Sequence, residues 1–154
     1  MAFNENLCND YESAPLEAIK AVYKTIHPET EITVAEQGSH WDMIATVNEK
    51  VFYIENKTRN TSYKVYKDEG YYLDPNKVDG TIDLFNFYFP KDNVLMVTNF
   101  EAIKDLQPQE TYVKKDVYCD PDSKPKKKPN IIIPYDRFWV YDTTNNEKID
   151  EPKK

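Results

Sequence analysis

The chain has 154 residues, of which 40% are apolar and 14% aromatic, which is enough for one domain with a hydrophobic core. Its formal net charge of −7 argues against a broad nucleic-acid-binding face, because such faces are usually basic. Its three glycines form neither G-x-G-x-x-G nor a Walker A sequence, which excludes the glycine-rich phosphate loops.

Signals for export, membrane insertion or zinc binding are not found in this sequence. The first residues show neither the basic nor the apolar segment of a signal peptide, and no apolar run reaches membrane-spanning length. Cys8 and Cys119 form no C-x-x-C pair, so we expect two reduced thiols. We predict a cytoplasmic protein without membrane contact. It is expected to form a single domain over residues 1–154, with a core at about 14–142 and loose termini at 1–12 and 143–154.

The first half of the chain predicts one helix and three strands. A helix is expected over residues 14–26, because Pro15 suits a first helical turn and Pro28 ends the helical spacing. Residues 31–36 alternate apolar and polar side chains, as in a strand. Trp41–Val47 and Val51–Thr58 then form a hairpin with its tip at residues 48–50.

The second half predicts a further helix and several strands. Asp74 and Pro75 are a typical helix start, so residues 75–85 are expected to be helical. Strands are predicted at 84–89, 94–98, 111–119 and 131–141, a short helix at 100–106, and an exposed basic loop at 120–130. This order indicates an α/β or α+β fold with a mixed central sheet and additional C-terminal strands.

The hairpin carries the candidate site. If the turn is Asn48-Glu49, or a four-residue loop at 47–50, paired residue numbers add up to 97, and Asp42 lies opposite Glu55 with Cβ atoms about 5 Å apart. Lys57 shares that face, because side chains alternate along a strand. A three-residue turn would shift this register. Two carboxylates this close repel each other unless a cation bridges them, and their oxygen atoms suit Mg²⁺ or Mn²⁺.

Asp42 followed by Glu55-Asn56-Lys57 as E-x-K resembles the PD-(D/E)XK nuclease superfamily, which has the restriction-endonuclease-like fold. The resemblance implies that Asp42, Glu55 and Lys57 are catalytic. It also implies that Asp42, Glu55 and the main-chain carbonyl of Asn56 bind the metal ion, and that Lys57 lies near the attacking water. Glu17 corresponds to an additional acidic residue that some members carry on the first helix.

The common core of this superfamily is αβββαβ. It corresponds here to a helix at 14–26, strands at 31–36, 40–48 and 51–58, a helix at 75–85 and a strand at 94–98. Trp41 stands where the family pattern has proline, which is a departure from the pattern. The order of the elements supports the resemblance more strongly than the short motif does.

For the other candidate residues, an ordinary structural or surface role is an alternative to a functional one. His40 could join the site, although a histidine next to a turn is usually a surface residue. Candidate contacts to DNA phosphates are Lys64, Lys67, Lys124, Lys126, Lys127 and Lys128, although lysine runs are mostly just solvated. Glu55 and Lys57 could likewise be an ordinary pair on a strand, but isolated charges near a core are costly.

The sequence therefore predicts a Mg²⁺- or Mn²⁺-dependent endonuclease that hydrolyses phosphodiester bonds in DNA and is resolvase- or restriction-like. The alternative is a non-catalytic DNA- or protein-binding domain on the same fold, and an unrelated α+β domain without a metal site is a third reading. Because cutting two strands needs two sites, a homodimer is a further expectation. The resemblance implies a phage, mobile element or repair setting, in a prokaryotic cell or a virus-infected host cell.

Overall fold

The computed structural model describes residues 15–113 and 126–153, which form an α+β fold with a mixed sheet. Within them lie two α-helices, α1 Pro15–Ile26 and α2 Phe100–Ile103. The strands are β1 Glu31–Val34, β2 Met43–Val47, β3 Lys50–Thr58, β4 Tyr71–Leu73, β5 Leu84–Phe89, β6 Val94–Asn99, β7 Gln109–Val113, β8 Lys126–Ile133, β9 Trp139–Asp142 and β10 Glu147–Asp150. The predicted loose segment 1–12, Cys8, Cys119 and Lys124 lie outside the described residues.

A seven-stranded sheet with the order β1-β2-β3-β5-β6-β9-β10 forms the centre of the fold. β1, β2 and β3 are an antiparallel meander, β5 runs parallel to β3, and β6, β9 and β10 continue in antiparallel fashion. A smaller antiparallel sheet has the order β4-β8-β7. The predicted mixed central sheet is confirmed.

The two faces of the large sheet pack against different partners. On the α1 face, helix residues Ile19, Val22 and Tyr23 are buried against Ile54 of β3 and Leu95 of β6. On the opposite face, strand residues pack against side chains of β4 and β8; the buried members include Phe85, Phe87, Phe89, Tyr71, Leu73, Ile131, Ile133 and Phe138. Adjacent residues of β5 and β6 alternate between these clusters, as the pleat of a strand requires.

The predicted helix at 75–85 is wrong. Asp74 caps a helix start as expected, with its carboxylate accepting from the Asn76 N–H at 2.9 Å, but only the 3₁₀-helix Pro75–Lys77 follows. Gly80 has φ +93°, outside the helical range, and the strand β5 begins at Leu84. Pairing of β5 with both β3 and β6 therefore outweighs the local helical spacing. The strand next to β3 on this side is β5, which runs parallel to it, whereas the core assignment placed the strand that follows the second helix at 94–98.

Two further segments differ from the expectation. Residues 126–130, predicted as part of a loop, belong to β8 and pair with β7. The tail predicted to be loose from residue 143 turns back at Asn146, which has φ +61°, and forms β10 against β9. Backbone pairing with a neighbouring strand orders both polar segments, although neither has apolar periodicity.

Among the described residues, no helix is long and apolar enough to cross a membrane.

Candidate functional site

The hairpin register is as predicted. Pairs run from Val47–Lys50 to Met43–Ile54, and in every pair the two numbers add up to 97. The two turn residues, Asn48 and Glu49, have φ angles of +47° and +74°. Two consecutive residues with positive φ characterise the tight turn that suits the right-handed twist of a hairpin. The predicted register of the hairpin is therefore confirmed, while the site and the function of its residues stay a prediction.

Asp42 lies one residue before β2 and is fixed by three hydrogen bonds. Its N–H donates to the Ile54 carbonyl at 2.8 Å, and its carbonyl accepts from the Ala35 N–H at 2.9 Å. Its carboxylate Oδ2 accepts from the Asn56 N–H at 2.8 Å. The side chain is thus held directly beside the E-x-K segment.

Glu55 is the buried centre of the cluster, with 2% of its surface exposed. Its Oε2 lies 3.3 Å from Lys57 Nζ, and its Oε1 lies 3.5 Å from Lys77 Nζ. Oε1 makes no hydrogen bond although it is buried. We call Asp42, Glu55, Lys57 and Lys77 the carboxylate–lysine cluster.

The pKa of Glu55 is raised above its ordinary value, and burial is the largest cause. Lys57 lowers the pKa in part, Asp42 raises it by charge repulsion and a side-chain hydrogen bond, and Lys77 lowers it. Burial and the neighbouring carboxylate therefore outweigh the two lysines. The negative form of Glu55 is incompletely stabilised by the protein groups around it.

Two residues here were not identified from the sequence: Lys77, a member of the cluster, and Asp79, which lies close to it. Lys77 Nζ donates a 2.6 Å hydrogen bond to the His40 carbonyl, and His40 Nε2 lies 3.2 Å from Asp79 Oδ2. The pKa of Asp79 is lowered, chiefly by the hydrogen bond from the Thr81 hydroxyl. The Asp74-Pro75 signal predicted a helix start just before Lys77, but nothing in the sequence showed that this segment faces Glu55.

Aromatic residues are neighbours of the two carboxylates along the chain and across the sheet. The rings of Trp41 and Tyr53 stack with centroids 3.9 Å apart, and Trp41 directly precedes Asp42. Glu55 is also in register with Phe85 of β5, which is fully buried. These surroundings explain why burial has a large effect on Glu55.

The remaining predicted site residues lie apart from these contacts. Glu17 is on α1, which packs on the other face of the sheet, and its carboxylate lies 3.8 Å from Lys20 Nζ. Lys64 and Lys67 are exposed at the 3₁₀-helix Tyr63–Tyr66, and Lys67 Nζ lies 4.7 Å from the Tyr135 ring centroid. Lys126, Lys127 and Lys128 lie on β8, where Lys128 is exposed.

The donor set of the cluster fits a small divalent cation. The described residues contain no group of three or more His, Cys, Asp or Glu side chains that could hold a metal ion. Asp42 and Glu55 nevertheless supply two carboxylates, and Asn56 lies directly after Glu55 on β3, beyond the last β2–β3 pair at Met43–Ile54. Mg²⁺ is commonly bound by one or two carboxylates and keeps several waters. The buried Oε1 without a hydrogen bond is the atom that a cation would satisfy.

Comparison with known proteins adds no assignment to this geometry. No protein-family model matches the sequence, and a search of curated proteins gives no match.

Proposed function

We propose that this chain is a Mg²⁺- or Mn²⁺-dependent endodeoxyribonuclease with a PD-(D/E)XK-type site. The observation that carries the proposal is the convergence of Asp42 and Glu55 beside Lys57, with Glu55 only 2% exposed. A buried carboxylate next to a second carboxylate is unfavourable for folding, and such groups concentrate at functional sites. A catalytic role therefore explains the presence of this cluster better than a contribution to the stability of the fold does.

The order of the elements supports the same proposal. Helix α1 and the antiparallel strands β1, β2 and β3 follow the order of the first four elements of an αβββαβ core, and β5 adds a parallel strand beside β3. The second core helix has no counterpart among the described residues. The crossover at 59–83 contains β4 and the 3₁₀-helices Tyr63–Tyr66 and Pro75–Lys77 instead. The proposed family membership rests on the first part of the core and on the site.

Each residue of the cluster has a defined role in this proposal. Asp42, Glu55 and the Asn56 carbonyl would hold the cation, which when bound would polarise the phosphoryl oxygen and make a bound water more acidic. Asp42 is kept in place by the Asn56 N–H, so its carboxylate needs little reorganisation. Lys57 places a positive charge 3.3 Å from Glu55, where it can stabilise negative charge that develops on the phosphate.

The proposed substrate is DNA, and lysine side chains are the proposed contacts to its phosphates. Lys57 and Lys77 lie at the cluster, and the exposed Lys64 and Lys67 follow β3 in the chain. Phosphate contacts by lysines supply affinity without sequence information. A homodimer would provide the second site that cleavage of both strands requires.

A non-catalytic binding domain is the second candidate, and one observation favours it. Lys57 and Lys77 lie 3.3 Å and 3.5 Å from the two oxygens of Glu55, so each oxygen has a positively charged neighbour without a metal ion. A cluster that is complete in this way could be a purely structural ion-pair network. Metal binding separates the two candidates.

The test is calorimetric titration of the protein with Mn²⁺, comparing wild type with Asp42→Asn. The amide oxygen that this substitution introduces can still accept from the Asn56 N–H, so the change removes the charge and keeps the hydrogen bond. Asp83→Asn is the matched control, because Asp83 Oδ2 also accepts a β3 N–H, that of Tyr53 at 2.9 Å.

We expect wild type and Asp83→Asn to bind Mn²⁺ alike, and Asp42→Asn to bind it at least about tenfold more weakly. Equal binding by all three proteins would place the metal elsewhere. If wild type binds no Mn²⁺ even in the presence of DNA, the nuclease proposal is wrong and the binding-domain candidate stands.

A further inference from the structure

Lys77 is the second cation at Glu55, and it comes from outside the E-x-K motif. Its Nζ lies 3.5 Å from Glu55 Oε1 and donates a 2.6 Å hydrogen bond to the His40 carbonyl. The side chain is 24% exposed, and residue 77 ends a 3₁₀-helix whose start is fixed by Asp74 and Pro75. The fold thus holds this ammonium group against the cluster.

The two contacts of Lys77 differ in kind. The contact with the His40 carbonyl is a short hydrogen bond, whereas Glu55 Oε1 takes part in no hydrogen bond and attracts the ammonium group only through its charge. If the Lys77 ammonium group moves away from Oε1, it therefore loses an electrostatic contact and can keep its hydrogen bond to the His40 carbonyl. The two lysines pair with different oxygens of Glu55: Lys57 with Oε2 and Lys77 with Oε1.

A divalent cation at Glu55 would meet the positive charge of Lys77 at close range. Like charges a few ångströms apart in a partly buried site repel more strongly than in water, because the effective dielectric constant there is lower. The ammonium group and the metal ion therefore cannot both occupy the position next to Oε1.

We propose that Lys77 is a positioning residue that competes with the divalent cation for Glu55. Without metal, its ammonium group lies against Glu55 Oε1 and links Glu55 to the segment that carries His40 and Asp42. When the cation binds, the ammonium group leaves Oε1 and remains on the His40 carbonyl. This inference rests on the proposed function, and it assigns a role to a residue outside the motif.

The experiment compares the Mn²⁺ affinity of wild type, Lys77→Met and Lys148→Met by calorimetry at low ionic strength. Methionine keeps much of the length of the lysine side chain and removes its charge. Lys148 is the matched control, because it also pairs with a glutamate, Glu151 at 2.7 Å, but lies on β10 at the edge of the large sheet. We expect the Kd of Lys77→Met to fall about tenfold and that of Lys148→Met to stay at the wild-type value.

A second measurement uses wild type alone and decides the question if Lys77→Met does not fold. The side-chain resonances of the lysines are followed by NMR during a Mg²⁺ titration. The Lys77 ε-methylene signal is expected to shift as Mg²⁺ binds, whereas the Lys148 signal stays unchanged.

The competition is refuted if folded Lys77→Met binds Mn²⁺ no more tightly than wild type, or if the Lys77 signal does not move while that of Lys57 does. In both cases wild type still binds metal, so the proposed function survives. If wild type binds neither Mn²⁺ nor Mg²⁺, both the proposed function and this inference fail.

Discussion

The two faces of the seven-stranded sheet both bury polar side chains, but with different consequences. On the α1 face, the Tyr23 hydroxyl donates to Asn86 Oδ1 at 2.8 Å, and both residues are buried and neutral. Asn86 Nδ2 has no hydrogen-bond partner, yet it carries no charge. On the opposite face, the buried polar groups include Glu55, a carboxyl group among other charges.

The neutral pair and the charged cluster differ in what their burial costs. A neutral hydrogen-bonded pair is inexpensive to bury and fixes how a helix sits on a sheet. A charged cluster is costly to bury, and replacement by apolar residues often stabilises a protein. We therefore attribute the Tyr23–Asn86 pair to folding, and the functional role of the carboxylate–lysine cluster stays a proposal.

The largest effect on stability is expected from the aromatic core below the cluster. Phe87 is 1% exposed, and its ring meets those of Tyr71 and Phe138 at 5.8 Å and 5.6 Å between centroids. Phe87→Ala should lower the free energy of unfolding by about 3–5 kcal/mol, because it removes apolar contacts and leaves a cavity. Urea denaturation measures this loss. A loss below about 1 kcal/mol would show that this face is not a packed core.

The neutral pair should have a smaller effect, confined to stability. Tyr23→Phe removes the hydroxyl and leaves buried Asn86 Oδ1 without its donor, which should lower the free energy of unfolding by about 1–3 kcal/mol. Urea denaturation measures this change as well, and Mn²⁺ affinity should not change. Weaker Mn²⁺ binding by folded Tyr23→Phe would contradict the division between the two faces.

Substitution of Asp42 in the charged cluster should raise stability, whereas the two substitutions above lower it. Asp42→Asn removes a charge that raises the pKa of Glu55, so it should stabilise the metal-free protein, with the midpoint of thermal unfolding rising by about 2–4 °C at neutral pH. Thermal unfolding in EDTA measures the shift. A fall of the midpoint would mean that the Asp42 charge stabilises the fold.

The same variant gives a pH dependence with a definite sign. The native pKa of Glu55 lies above its unfolded value, so the native state binds the proton more tightly, and stability falls as pH rises from the unfolded pKa through the native pKa. Asp42→Asn should reduce this fall, so the stability difference between the variant and wild type should grow from acidic to neutral pH. A difference that does not change with pH would contradict the coupling between the two carboxyl groups.

Sequence patterns predicted the hairpin because the residues that determine its turn and register are close together in the chain. The turn at Asn48-Glu49 sets the register, and the register sets which side chains meet, so Asp42 and Glu55 could be paired without knowledge of the rest of the fold. Helix α1 was predicted for a similar reason, since its proline boundaries and apolar face lie within a few turns of each other.

The parts that were missed depend on distant contacts. Residues 75–85 have helical spacing, but the helical segment ends at Lys77, and residues 84 and 85 pair with β3 and β6 as the start of β5. Lys77 reaches Glu55 from 22 positions further along the chain, as their numbers show, and no local pattern indicates such a contact. The polar segment at 147–150 became a strand because β9 offered it a backbone partner.

The most direct test of the account is DNA cleavage by one variant from each face. Supercoiled plasmid and branched DNA are incubated with Mg²⁺ and wild type, Glu55→Gln or Tyr23→Phe, at a temperature where all three are folded. We predict that wild type and Tyr23→Phe cut the DNA at similar rates, that EDTA stops both, and that Glu55→Gln is slower by on the order of 100-fold or more. Cleavage by Glu55→Gln at the wild-type rate would contradict the central claim, as would a wild-type protein that binds no metal and leaves both DNAs uncut.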